Sequence, residues 1–421
     1  MLIIYSSLRI GGIETFYMRM AKARFIAGKK TKILLTSKKE LSDPFLLEET
    51  KKYAEIYFLD DFLKFRLLSK VSLHFILLQP LLYKELKHLF ENIKQVHVSS
   101  AIYGFFYLKI SRVLKVNIPL TVGVYHGQEF IWGEPSSLPF YEKANRALFL
   151  KLLKQKNVYF FNDKLPQQYA EVFPVDVGSL NSFPLGVIES TSTDIEKQEV
   201  KSSIKIISVG RLISFKAYNL WMIDVVNELS SKFSIEYNIY GSGPLEAEIK
   251  AKIDKYGLAE SVFLRGDIPY SEFKRVVAMH DLFVGSGTAI IEASSLGVSS
   301  IIGIESVKEA VSYGFICDMK GFSYNEDGLF EKYKVTDLIS NYFDLSDEDI
   351  VGRRKQHIEW SRQFSMQVCV ENFEKFGALS KPINFDMYNS LPFYFKYSLS
   401  FAFFSLRCKL TGKNFDSLVY G

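Results

Sequence analysis

Short apolar runs alternate with longer amphipathic stretches along most of the chain. Leu2–Tyr5 is the first run; it ends at a polar turn, and Gly11-Gly12 then opens a helix-like stretch from Glu14. Thr31–Thr36, Gln95–Val98, Leu120–Tyr125 and Val158–Phe161 are the later runs of the first half, with helix-length segments between them. Strands buried on both faces read this way, which predicts a parallel sheet covered by helices. Leu67–Phe90 is Leu-rich and reads as core helices or as a membrane-facing surface. At Ser190–Lys201, the sequence STSTDIEKQEVK has no apolar period and reads as an interdomain linker.

A second alternation follows. Ile204–Val209, Ile235–Tyr240, Val262–Leu264, Leu282–Val284 and Ser299–Ile302 are its strands. After Pro244, Leu245, Ile249, Ile253 and Tyr256 share one helical face, and Gly257 is placed to end that helix. The pattern predicts an α/β protein of two doubly wound, Rossmann-like domains. Their expected bounds are 1–190 and 191–375, followed by an aromatic-rich tail, 376–421. Ligands of such sheets bind beyond the carboxyl ends of the strands, so the residues just after each run are where chemistry is expected.

Composition narrows the classes. With 421 residues, 48% of them hydrophobic, the chain has enough apolar material for two cores, which excludes a disordered or disulfide-scaffold protein. A net charge of +5 over this length does not indicate a nucleic-acid binder; it fits a protein that meets anionic ligands or an anionic membrane surface. Cys317, Cys369 and Cys408 have no metal-site spacing and imply a reducing compartment. Met1–Tyr5 has no basic leader and does not read as a signal peptide, and no uncharged run reaches the length of a spanning helix.

Four strand ends carry candidate chemistry. Arg211 and Lys216 follow Ile204–Val209; together they can grip one anion, or they are two solvated loop charges. Gly241-Ser242-Gly243-Pro244 follows Ile235–Tyr240 and either admits a ligand to a helix N-terminus or is only a tight turn. Gly287 and Thr288 open a helix after Leu282–Val284, and Glu292 lies about one turn in, either bonded to a ribose diol or serving the helix dipole. His126, directly after Leu120–Tyr125, is the histidine best placed for chemistry, although a lone histidine is often structural. Asp347-Glu348-Asp349 has the spacing of a metal-binding DxD but lies in an acidic helix-opening stretch rather than at a strand end, so no metal site is expected.

Taken in order, these pieces resemble the family 4 retaining glycosyltransferases of GT-B fold, over about residues 1–375. The resemblance rests on Gly11-Gly12, His126-Gly127, Phe183–Val187, Ser208–Lys216 (SVGRLISFK), Tyr240–Ile249 (YGSGPLEAEI), Val262–Pro269 (VFLRGDIP) and Gly287–Ile301 (GTAIIEASSLGVSSI). It implies two domains facing a cleft, with the donor nucleotide sugar in the second domain and the acceptor in the first. It also implies that Arg211 and Lys216 grip the donor diphosphate and that Glu292 binds the ribose. Gly12 would face donor and acceptor, His126 would approach the donor sugar, and Arg265 to Ile268 would lie beside the base. Gly241, Gly243, Gly287 and Thr288 complete the implied donor site. The chain departs from the family twice: the first Glu of its paired motif is Val284 here, and the glycine after the lysine is Ala217.

The resemblance implies a metal-independent hexosyl transfer from a UDP- or GDP-sugar, with no other cofactor. The acceptor is expected to be a saccharide, lipid-carrier-linked, in bacterial cell-surface polysaccharide synthesis (O-antigen or capsule). A sugar epimerase of the same fold and a non-catalytic sugar- or lipid-binding subunit are the alternatives. The expected place is the cytoplasm, peripheral on the inner face of the membrane. If Leu391–Leu410 is helical, Phe395, Leu399, Ala402, Phe403, Leu406 and Leu410 form one stripe, widened by Phe393, Tyr394, Tyr397, Phe401 and Phe404. That stripe is read either as a membrane-surface anchor aided by Lys396, Arg407 and Lys409, or as a strap packed on the first domain.

Overall fold

The computed structural model describes residues 1–9, 11–65, 71–189, 203–384 and 389–411. The linker read at Ser190–Lys201 lies outside these residues. Two compact units emerge, 1–185 with 366–421, and 186–365.

The first unit holds a sheet of seven parallel strands: β1 (Leu2–Tyr5), β2 (Lys32–Leu35), β3 (Glu55–Phe58), β4 (Val96–Val98), β5 (Leu120–Val124), β6 (Val158–Phe160) and β7 (Asn181–Ser182). Their spatial order is β3-β2-β1-β4-β5-β6-β7. Order reverses between β1 and β4, which makes the crevice beyond their carboxyl ends the natural ligand position. The apolar runs became strands because their side chains are buried on both faces; β1, β2, β4 and β5 are almost fully enclosed. β3 and β7 are absent from the sequence reading: β3 is an edge strand opening with exposed Glu55, and β7 has two polar residues.

The second unit has five parallel strands, β8 (Ile204–Val209), β9 (Ile235–Tyr240), β10 (Val262–Gly266), β11 (Leu282–Gly285) and β12 (Ser299–Ile302), in the order β10-β9-β8-β11-β12. Here the order reverses between β8 and β11. The helix Glu246–Tyr256 ends as expected, with Gly257 in the left-handed conformation at φ +67°. A short antiparallel ribbon joins Val311–Ser312 to Tyr333–Lys334.

Both boundaries differ from the sequence reading, the first only slightly, at 185 instead of 190. The second unit closes at Ser365, not 375, and helix Met366–Leu379 belongs to the first unit. There Phe373 is fully buried among Phe16, Tyr159, Phe161 and Phe183, and Glu374 pairs with Arg24 of helix Gly12–Ile26. A helix continuous in sequence with one domain thus supplies core to the other.

The tail helix, Leu391–Leu410, also packs on the first unit. Its inward face is Phe393, Tyr394 and Tyr397, with Phe401 and Phe404 partly buried against the same core. Tyr397 donates to Asn145 Oδ1 at 2.7 Å, and the His74 ring stacks on Phe401. These aromatics are therefore not a widening of the apolar stripe. They form the opposite face, because the sheet-covering helices offer them an aromatic surface.

Candidate functional site

In the second unit, the chain leaves β8 at Gly210 and reaches Lys216 before the helix Tyr218–Leu229 begins. Arg211 is exposed and Lys216 half-buried. The Lys216 ammonium folds back over Gly210; a Cβ there would meet Nζ at 2.9 Å. Burial lowers the lysine's pKa; Glu305 opposes the shift and nearby Arg211 adds to it. Two cations therefore share a field at the β8/β11 reversal, free to take a bound anion. Ala217, where the family pattern has glycine, has ordinary helical angles (φ −60°, ψ −16°) and so needs no glycine.

Gly241 and Gly243 have a visible structural task. A Cβ on Gly241 would lie 1.9 Å from the Gly210 carbonyl oxygen, and one on Gly243 would lie 2.4 Å from the Leu212 carbonyl oxygen. Only residues without side chains let the β9 loop press on the β8 loop, where Leu212 N–H donates to Ser242 O at 2.9 Å. Both glycines thus support the cationic loop whether or not ligand touches them.

On the other side of the reversal, Ser286 precedes the helix Gly287–Ser295. The Gly287 N–H donates to Asn325 Oδ1 at 2.8 Å, so one helix-start donor is held by the chain itself. Thr288 is exposed at that helix start, and Glu292, 9% exposed, lies one turn in. Glu305 accepts a hydrogen bond from Ser286 Oγ at 2.9 Å. Burial raises its pKa, Ser286 and Lys216 pull it down, and Glu326 adds to the rise. Sequence reasoning gave no role to Glu305, Ser286 or Asn325, although Ser286 and Glu305 follow the runs Leu282–Val284 and Ser299–Ile302.

Arg265 and Ile268 are placed differently from each other. Arg265 Nε donates to Asn238 Oδ1 at 2.7 Å and its guanidinium lies over the Phe263 ring, so this side chain is tied to the edge of the sheet. Ile268 is half-buried beyond Gly266, whose carbonyl holds the Gly241 N–H at 2.8 Å. Asp347-Glu348-Asp349 forms the first turn of helix Asp347–Ser361, capped by Ser346.

In the first unit, Gly12 begins its helix with no atom within 4 Å of where a Cβ would stand. Glu14, one turn in, accepts from the Tyr5 hydroxyl at 3.0 Å and curls over Gly11. His126 follows β5; partial burial lowers its pKa and Glu14 opposes that shift. The Gly11-Gly12 turn, Glu14 and His126 therefore share one end of the sheet. Glu14 was visible in the sequence only as a first-turn carboxylate after the glycines. Beneath them, His97 is fully buried, bonded to Thr121 and Tyr125 at 3.0 Å each, and its pKa is pushed down to about 3 by burial.

Residues 190–315 match the family model described as glycosyl transferases group 1. The structure is similar to a glycosyltransferase from Rickettsia africae ESF-5, with a TM-score of 0.61 and 15% identity, covering 90% of this chain and 98% of that one. The resemblance to the family 4 glycosyltransferases of GT-B fold holds. A second GT-B structure, Anabaena Alr3699/HepE in complex with UDP, gives a TM-score of 0.59 at 14% identity over 89% of this chain and 98% of that one. Among curated proteins, the phosphatidylinositol N-acetylglucosaminyltransferase GPI3 subunit of Saccharomyces cerevisiae (strain YJM789) is 25% identical over 138 residues, 31% of this chain. That match spans 30% of the relative's own length.

Proposed function

We propose that this chain is a glycosyltransferase that moves a hexosyl group from a nucleotide-sugar donor, a UDP- or GDP-sugar, to a saccharide acceptor. The observation that carries the reading is the paired cationic loop, Arg211 and Lys216, at the β8/β11 reversal of a GT-B unit. Breaking a sugar–phosphate bond builds negative charge on the leaving diphosphate. Arg211 offers a fork of donors to its oxygens, and Lys216, already part-desolvated, offers a positive charge that needs little reorganisation. Glu292 holds the ribose from one turn inside its helix, while Gly287 and Thr288 line the diphosphate's path. His126 and the Gly12 turn serve the sugar and acceptor from the first unit. The resemblance favours retention by front-face attack, with the donor phosphate helping to take the acceptor proton, and the charge is neutralised by the chain's own cations. A UDP complex within the same fold supports a nucleotide-sugar partner.

The acceptor is a saccharide on a lipid carrier, as in bacterial surface-polysaccharide assembly, and the enzyme works at the inner face of the cytoplasmic membrane. The tail helix supports this reading. Leu391, Phe395, Leu399, Phe403, Leu406 and Leu410 run along its outward face, each between 43% and 79% exposed. Arg407 and Lys409 flank its end, and Lys396 lies over the Phe140 ring. Such a face lies in a membrane interface while the inward aromatics hold the helix to its unit. No described helix is long and apolar enough to cross a membrane.

Thermal-shift titration with UDP, GDP and their sugars tests the donor reading, since a ligand of the folded state raises its stability. Slow release of free sugar from one nucleotide sugar supports transfer. Epimerised nucleotide sugar would point to the epimerase, and binding without turnover to a non-catalytic subunit. For the membrane reading, Phe395→Ser, Leu399→Ser and Phe403→Ser together should abolish flotation with anionic liposomes at an unchanged Tm. Retained flotation refutes the stripe as the anchor.

A further inference from the structure

Glu305 stands in the loop after β12. Its Oε1 is bonded to Ser286 Oγ from the loop after β11, and it is an electrostatic neighbour of Lys216 from the loop after β8. Three adjacent strands, β8, β11 and β12, thus deliver an ammonium, a hydroxyl and a carboxylate to one place. The carboxylate's loop is held from several sides. Glu305 N–H donates to Asn325 O at 2.9 Å, and Ser306 N–H to Phe215 O at 2.7 Å. Ser306 keeps a left-handed φ of +65°. Gly303 lies flat on the Tyr218 ring, where a Cβ would approach to 2.4 Å. By contrast Val284, eight residues before Glu292, is fully enclosed in the sheet core. The carboxylate beside the cationic loop therefore comes from the β12 loop.

Charge indicates what that carboxylate meets. Arg211 and Lys216 attract an anion, and a part-buried carboxylate beside the same lysine repels it. A ligand that also brings hydrogen-bond donors to Glu305 relieves the conflict. An ionised diphosphate has none to offer; the hydroxyls of a sugar attached to it do. We propose that Glu305 accepts hydrogen bonds from hydroxyls of the transferred sugar and thereby selects which sugar the donor carries. The proposal rests on the glycosyl-transfer reading above and adds to it the residue that reads the sugar.

The test compares the full-length wild type with Glu305→Gln and Glu305→Ala. Calorimetric titration uses UDP and GDP alone, then UDP-glucose, UDP-galactose, UDP-N-acetylglucosamine and GDP-mannose, with hydrolysis of each sugar nucleotide followed in parallel. Glu305→Gln keeps the side-chain volume and an oxygen for Ser286, so it reports even if Glu305→Ala is unstable. Affinity for the bare nucleotide should hold or rise, because the variants remove a carboxylate that repels the diphosphate. The preference for the best sugar nucleotide over the bare nucleotide, and over the other sugars, should fall roughly 10–100-fold, the scale of a hydrogen bond to a charged group. Equal losses for nucleotide and sugar nucleotide, or unchanged discrimination in the folded Gln variant, would overturn the proposal alone. A wild type that binds no nucleotide or nucleotide sugar would overturn the donor reading and this proposal with it.

Discussion

The two units share one architecture and fill the ends of their sheets with opposite chemistry. Below the Gly11-Gly12 turn of the first unit, Tyr17, Tyr125, Tyr159 and Phe373 pack around a buried, neutral His97, with Phe16 and Phe161 against Tyr125 and Phe373. At the reversal of the second unit the groups are Arg211, Lys216, Ser286, Glu292 and Glu305, held by backbone contacts between loops. An aromatic end gives a stiff, apolar floor; a charged end gives electrostatic recognition and carries a desolvation cost that ligand binding offsets. The parallel-sheet frame therefore does not dictate the site. The loop residues do, and the two ends should respond differently to perturbation.

The largest expected effect is on stability. Phe373→Ala should cost about 3–5 kcal/mol, the range for truncating a buried Phe, and should appear in the first unit's unfolding transition. Nucleotide affinity in the folded fraction should be unchanged; a matching loss of affinity would show that the two ends are not separable. Next, Lys216→Ala should lower turnover by roughly 10²–10³, the scale for losing one preorganised charge-stabilising group, at an unchanged Tm. Wild-type kinetics would remove Lys216 from the diphosphate grip.

Glu292→Gln sharpens the charged end further. It should weaken nucleotide and nucleotide-sugar binding alike by about 1–3 kcal/mol in calorimetric titration. A lower Tm at constant affinity would assign Glu292 to the helix dipole instead.

The effect that is smallest near neutral pH, and grows only in acid, is a pH slope in the aromatic end. The folded pKa of His97 lies near 3, below the ordinary value of 6.5, so the unfolded chain binds a proton that the folded chain refuses. Its contribution to stability is therefore present above about pH 6.5 and is lost as pH falls toward 3, by up to about 1.4 kcal/mol per pH unit. His97→Gln should flatten that part of the acid profile. Glu142, pushed up to about 7 by burial, acts with the opposite sign, because its proton favours the folded state as pH falls. Comparison of the profiles of the two proteins isolates the histidine.

Much of the frame was legible along the chain. Ile204–Val209, Ile235–Tyr240 and Ser299–Ile302 are strands to the residue, because β-branched and aromatic residues dominate them even though Lys205, Glu236, Asn238 and serines interrupt the runs. Gly257 ended its helix for the same local reason, a left-handed turn that glycine takes without strain. Arg211, Lys216, Glu292 and His126 stood out because each follows a strand. What stayed hidden depends on contacts distant in sequence. β3 and β7 are strands only by pairing with β2 and β6. Helix Met366–Leu379 joins the first unit because Phe373 and Glu374 find partners there, which no local period records. In the tail, the sequence alone determined an aromatic, apolar helix, and packing alone decided that Tyr394 and Tyr397 face inward while Phe395 and Phe403 remain outside. Likewise the cationic loop is written in seven consecutive residues, Gly210 to Lys216, whereas the carboxylate beside it is not. Parallel pairing of β8, β11 and β12 brings Glu305 to Lys216 across 89 positions of chain, and side-chain chemistry carries no mark of such a meeting until the sheet forms.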